Sequence, residues 1–276
     1  MHKQPTDKQT GILSMTEEQY RASESISKSD LDWIAPPKTP AHYKARKDGL
    51  NVQPTTQAMI LGSLIHRAVL EPDTMSDFVT RPEGIDYRTK EGKAWRDANV
   101  GKTVLTHDEA VQIKCMVDAV WSHPIAKRIF KDAQTEVCLF AEDADGMQRK
   151  GRLDALIKGN IVPDLKTAHS ADAMEFERSI GKYRYHVQAA YYVDLCNLLG
   201  IDKSEFAYVV VEKEPPFAVA VYSLDQDAIR LGRLEYQRDL LRVRQCMESG
   251  KWPGFPDDMR VVGLPEYIRK QVEGLL

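Results

Sequence analysis

The sequence predicts an α/β protein with a mixed central β-sheet flanked by helices, and three observations carry that prediction. Helical periodicity dominates from Thr56 to Phe130. It gives way to alternation between Thr135 and Thr167, and further helical segments separate those strands from a later hairpin. The 276 residues suffice for one large domain with a substantial core.

Taken in order, residues 1–20 are polar and are expected to form a flexible N-terminal segment, with residues 21–276 a single domain. Ser27 or Ser29 can cap a short helix that must end before Pro36-Pro37. Residues 40–51 read as a basic turn or short helix. Thr55 or Thr56 opens a helix that runs to Glu71 and stops at Pro72. The charged stretch from Arg81 to Val100 reads as an exposed loop leading into a short helix. A long helix over Asp108–Phe130 is interruptible at His123-Pro124.

Strands at 135–141, 147–157 and 161–167 then suggest a three-stranded meander, its first hairpin turning at Asp143–Gly146. Helices follow at 171–180 and 183–199, the second stopped by Gly200. A hairpin over Pro215-Pro216 joins strands at 205–212 and 217–223, and Asp225 caps a long helix to Gly250. The turn-rich tail ends in a short helix.

Bulk properties exclude several classes. No apolar run approaches the ~20 residues of a membrane span, and the first residues lack the apolar core of a signal peptide. The four cysteines form no Cys-x-x-Cys pair, which argues against zinc-ribbon, iron–sulfur and disulfide frameworks and fits a reducing cytoplasm. With a net charge of −3, contact with nucleic acid must come from local basic patches or from a metal that offsets acids.

The chemistry concentrates in Gly151–Thr167. One strand carries Asp154 and the next carries Asp164-Leu165-Lys166, with Asp164 and Lys166 on one face. Two carboxylates and an ammonium at strand ends suit a divalent cation and a water that attacks a phosphodiester. Alternatively, Asp164 and Lys166 form a simple ion pair. His66 shares a helical stripe with the small residues Gly62 and Ser63, so it can reach a cavity, or serve as a core histidine. Tyr185, Gln188 and Tyr192 share one helical face; Gln188 can bond a base edge or phosphate and Tyr192 can stack, or the helix simply packs on the sheet. Glu136 could supply a second-ion carboxylate but is read as pairing with Arg149 or Arg152 across the sheet. Arg152, on the face of Asp154, can meet a phosphate or a carboxylate.

Taken together and in order, Gly62-x-x-x-His66, Gly151-Arg152-x-Asp154, Asp164-x-Lys166 and Gln188-x-x-x-Tyr192 resemble the PD-(D/E)XK nucleases of the RecB type. Within them the chain looks most like the RecE exonucleases, the exonuclease VIII group of phages and prophages, over residues 25–265. It departs from the pattern at Pro163, directly before Asp164, where a local bulge is expected.

The resemblance implies a restriction-endonuclease-like core, with metal ligation by His66, Asp154, Asp164 and the backbone carbonyl of Leu165. It implies catalysis by Asp154, Asp164, Lys166 and Gln188. Carboxylates and a carbonyl suit Mg²⁺, and the imidazole makes Mn²⁺ an effective substitute. It further implies 5′-strand digestion of linear double-stranded DNA without ATP, a ring-shaped homotetramer, a single-strand annealing protein as partner, and the bacterial host cytoplasm as location. DNA contacts are expected from Arg152, Gln188 and Tyr192 and from the loop residues Arg88, Lys90, Lys93 and Trp95, with Lys44, Arg46 and Lys47 a second basic cluster. A restriction-like or structure-specific endonuclease and a catalytically inactive DNA clamp remain open on the same residues.

Overall fold

The protein is described from a computed structural model over residues 10–51 and 56–273. Strand β1 (Gly11–Leu13) comes first, followed by helix α1 (Glu17–Ala22), whose start is fixed by a Thr16/Gln19 capping box. Ser27 caps α2 (Lys28–Leu31), and α3 (Pro40–Lys47) carries the basic cluster Lys44, Arg46 and Lys47. Helix α4 (Gln57–Leu70) is capped by Thr56; the alternative cap, Thr55, lies outside the described residues. Strand β2 (Phe78–Thr80), helix α5 (Lys90–Ala98) and strand β3 (Thr103–Leu105) follow, β2 and β3 forming a parallel ribbon the sequence did not suggest. The expected break at Pro124 divides α6 (His107–Ser122) from α7 (Pro124–Phe130).

Strands β4 (Gln134–Glu142) and β5 (Gln148–Leu156) form the expected hairpin. The expected flexible N-terminal segment needs correction in its described part: Gly11–Leu13 is a strand, because its backbone hydrogen-bonds the open edge of β4 with Ile12 opposite Leu139. So short an edge strand leaves little sequence signal. Residues 1–9 lie outside the described residues.

The meander ends at two strands. Strand β6 (Ile161–Ala168) runs beside β5 but pairs in parallel with β7 (Glu205–Glu212), which also holds β8 (Val219–Ser223) antiparallel. Between β6 and β7 the chain crosses over through α8 (Ala173–Lys182) and α9 (Tyr185–Leu198). Helices α10 (Gln226–Ser249), capped by Asp225 and ended by left-handed Gly250, and α11 (Glu266–Glu273) complete the chain. Among the described residues no helix is long and apolar enough to cross a membrane.

The expected bulge at Pro163 is absent. Pro163 sits opposite Ala207 and Asp164 opposite Tyr208 in unbroken register. The reason is directional. Leu165 N–H points away from β7, toward β5. Pro163, two residues earlier, directs its missing donor to the same side, where no ladder bond is needed.

Two apolar clusters cover the strands. One lies beneath α9 and α10 and includes Leu153, Val162, Tyr208 and Val210; the other lies beneath α4, α6 and α7 and includes Ala155, Leu165, Val209 and Val211. Burial on both faces suits the parallel pair β6–β7. In a regular strand Leu153 and Ala155 would share one face. Here they belong to different clusters, so β5 reorients at Asp154. The partner strand is distorted at the same level. Glu136 falls opposite Asp154 between the paired positions Thr135↔Ala155 and Val137↔Leu153, has a left-handed φ of 53°, and drops out of the ladder.

Candidate active site

The seam between β5 and β6 lacks a backbone ladder and is bridged by a side chain: Leu165 N–H donates to Asp154 Oδ2 at 2.7 Å. Helix α4 presents His66, whose Nδ1 lies 3.4 Å from the same oxygen. Among the described residues, His66, Glu136 and Asp154 each offer a ligand atom within 4.8 Å of the other two. They line a cavity of about 290 Å³ with Gly62, Ser63 and Arg152. Glycine at 62 is not demanded by close packing, because a methyl there would meet only Thr167 Oγ1 at an ordinary 3.7 Å.

Asp164 and Lys166 form the second half of the site, on the α9 side of β6. Lys166 Nζ pairs with Asp164 Oδ2 and lies 4.9 Å from the centre of the Tyr185 ring. Gln188 Nε2 donates to Asp164 Oδ1 at 2.7 Å. Helix α9 reaches this position because Gly151 leaves room beneath it; a methyl there would fall 2.7 Å from Leu195 Cδ2. Its first turn is held by Arg184, a left-handed residue whose guanidinium meets Asp32, Glu235 and Asp239. His186 bonds Glu235 at 3.0 Å and belongs to this scaffold.

The electrostatics follow from crowding acids at a dry seam. Burial, with the neighbouring Asp154 charge, pushes the Glu136 carboxyl up to about 7 despite Arg152. Burial likewise raises Asp164 to about 6, against the pull of Lys166. For His66 and Asp154 burial opposes charge on both, yet their mutual attraction prevails, holding the imidazole above and the carboxyl below their ordinary ranges. Lys166 is partly buried, which disfavours its charge, but Asp164 and Asp154 keep its ammonium form favoured.

Of the four expected ligands, the structure gathers His66 and Asp154. Asp164 stands outside their cluster, its two carboxylate oxygens engaged by Lys166 and Gln188. Glu136 takes the third place while also pairing with Arg152 Nε at 2.7 Å, as expected of one of its two candidate partners. Arg149, the other candidate, instead lies over the rings of Tyr191 and Tyr236. A countable signal pointed to Glu136. Stepping outward from the 143–146 turn brings residue 136 opposite Asp154, although nothing in the sequence foretold its left-handed backbone.

The expected DNA contacts fare unevenly. Arg152 borders the site cavity and is met there by three carboxylates, those of Glu136, Glu17 and Glu71. Tyr192 covers Gly151, lies near the rings of Tyr191 and Phe206, and borders a larger cavity beside the site. Arg88 pairs with Asp86, and Trp95 stacks on Tyr87. With Lys90 and Lys93 they sit on the excursion between β2 and β3, and none lines the small cavity or the larger one beside it.

The model of the "PDDEXK-like domain of unknown function (DUF3799)" matches residues 27–263. The chain belongs to this PDDEXK-like family. No curated protein matches it in sequence. Among solved structures, the family member is similar to a presumed exonuclease from Eubacterium rectale, at 14% identity and a TM-score of 0.60, covering 95% of this chain and 99% of the other. That likeness supports the fold. An alkaline exonuclease from Laribacter hongkongensis matches more loosely, at 11% identity and a TM-score of 0.29, over 78% of this chain and 100% of that one.

The donors fit a divalent cation. One imidazole and two carboxylates converge, and two anions that repel each other gain when a cation lies between them.

Proposed function

We propose that the protein is a metal-dependent nuclease that hydrolyses DNA phosphodiesters at the β5–β6 seam. One observation carries the reading: an imidazole and two carboxylates meet in a cavity beside a buried carboxylate–ammonium pair on the next strand. His66, Asp154 and Glu136 are assigned to hold the ion, with Asp164 and the Leu165 carbonyl as further ligands. That carbonyl faces the Asp154 side, because a strand residue's N–H and C=O point the same way. A bound Mg²⁺ or Mn²⁺ would supply charge to the phosphate and lower the pKa of water.

The chain's own groups do the rest. Lys166, an ammonium at rest, donates to the phosphate oxygens as negative charge builds or steadies the attacking water. Gln188 orients Asp164, and Arg152 moderates the repulsion between Glu136 and Asp154. Tyr185 and Tyr208 shield the Lys166 pair from solvent.

The finer assignment follows the RecE resemblance. It comprises end-dependent digestion of linear duplex with loss of the 5′ strand, ATP independence, a ring tetramer, an annealing partner, and work in the host cytoplasm. The test is an end-labelled linear duplex and a covalently closed circle, each incubated with Mg²⁺. Loss of the 5′ label with an intact circle is expected. Nicking of the circle would favour an endonuclease, and no cleavage of either, with the ion bound, would favour a clamp.

A further inference from the structure

A cavity of about 1370 Å³ adjoins the catalytic pocket, and Glu17 and Arg152 line both. Six cationic side chains line it against three acidic ones, although the protein as a whole carries a net charge of −3. The cations come from separate elements: Arg21 from α1, Lys44, Arg46 and Lys47 from α3, and Lys150 and Arg152 from β5. Lys150 is buried and donates to the Tyr20 and Ser23 carbonyls, so the charge a ligand can reach comes from α3, from Arg21, whose pair with Glu17 is solvent-exposed, and from Arg152.

The aromatic rings there are already engaged. Tyr43 stacks on Trp252 at 5.4 Å, Lys38 lies 3.9 Å from the Trp33 ring centre, and Lys150 lies 4.7 Å from that of Tyr20. The walls therefore offer charge rather than stacking platforms. The rim pairs, Lys44 with Asp48 and Lys47 with Asp30, involve partly exposed side chains and exchange readily for phosphate oxygens.

We propose that this cavity is a track for one strand of DNA, which is held by its phosphates without regard to base and led from α3 past Arg21 into the catalytic pocket. The proposal rests on the nuclease reading of that pocket. A single strand is the occupant because a flexible backbone can bend into a concavity, whereas duplex geometry holds its two backbones rigidly apart. Arg152, paired with Glu136, marks the point where the track meets the metal-binding acids.

The test uses the full chain in EDTA with fluorescein-labelled dT and dA 20-mers, titrated with salt. In the Lys44→Ala/Lys47→Ala variant, the slope of log affinity against log salt should shrink by about 1.4, two contacts at roughly 0.7 each. Arg21→Ala, a single replacement on another element, should remove about half as much. Both variants should melt as wild type does and should hydrolyse bis(p-nitrophenyl) phosphate with Mn²⁺ at the wild-type rate, since so small a diester needs no track.

Slopes unchanged in both variants would overturn the track. A strong preference between dT and dA would overturn phosphate-only recognition, and variants that lose salt slope on a blunt hairpin but not on either strand would overturn the single-strand assignment. If wild-type protein binds the strands but cleaves no diester with any divalent ion, the nuclease reading fails while the track stands.

Discussion

The β5–β6 seam and the buried face of α9 occupy the same strands and embody opposite physics. Under α9, Gly151, Tyr191, Leu195 and Phe206 pack closely, and every contact favours the folded state. At the seam, Glu136 and Asp154 face each other on a distorted ladder, Asp164 is 2% exposed, and a side chain does the work of a missing backbone bond. The seam is held in place by its surroundings rather than by itself, which is how a reactive arrangement persists. Substitutions should accordingly separate activity from stability.

The largest effect should come from Lys166→Ala. Cleavage should fall by about 10³-fold or more, roughly 4 kcal/mol of barrier, while the melting temperature barely moves, since Asp164 can take up a proton when its partner leaves. Calorimetry beside a cleavage assay checks this. A variant that stayed active, or that unfolded, would collapse the contrast between the two regions.

Gly151→Ala should do the reverse. The added methyl must displace Leu195 and Tyr192, costing about 1–3 kcal/mol of stability by denaturant titration. The residual folded enzyme should keep its metal affinity.

Glu136→Gln probes the seam through pH. The folded Glu136 carboxyl is raised to about 7 from 4.5, so its favourable contribution is complete below pH 4.5 and is lost as pH climbs toward 7. At pH 8 the metal-free wild type bears that cost. The variant should therefore be the more stable of the two there, by roughly 1 kcal/mol, and the advantage should vanish near pH 4.5. A divalent ion should stabilise wild type at pH 8 more than it stabilises the variant. An equal gain in both would remove Glu136 from the ion's ligands.

The smallest effect sharpens the contrast from outside. Arg88→Ala/Lys90→Ala/Lys93→Ala should leave the salt slope of strand binding unchanged, because these groups line neither cavity. A fall in slope would show that DNA reaches the β2–β3 excursion.

Much of this was legible in the sequence wherever the signal is local. Caps at Ser27, Thr56 and Asp225 and the stop at Gly250 set helix ends within a residue or two. Alternation located β4, β5 and β6. Pairing was harder. The partner of β6 lies about forty residues downstream across two helices, and periodicity carries no information about which strand lies beside which. At the site, His66, Asp154, Asp164, Lys166 and Gln188 stand in four motifs whose order resembles the RecE-type nucleases, and the resemblance rather than any one spacing implies their roles. Glu136 pairs with Arg152 as its place across the sheet suggests, but its position beside His66 and Asp154 depends on a backbone distortion that spacing does not reveal. The two basic clusters looked alike as strings; only the fold separates α3, which borders the large cavity, from the Arg88–Trp95 excursion, which does not.

The parallel pairing of β6 with β7 also has a consequence in time. While the chain is still emerging from the ribosome, His66, Asp154, Asp164, Lys166 and Gln188 are all synthesised before Glu205 begins the strand that β6 must join. Until then β6 has no ladder to fix Asp164 and Lys166. A half-made polypeptide thus carries these side chains without the frame that aligns them, and the site is assembled only once translation has passed β7.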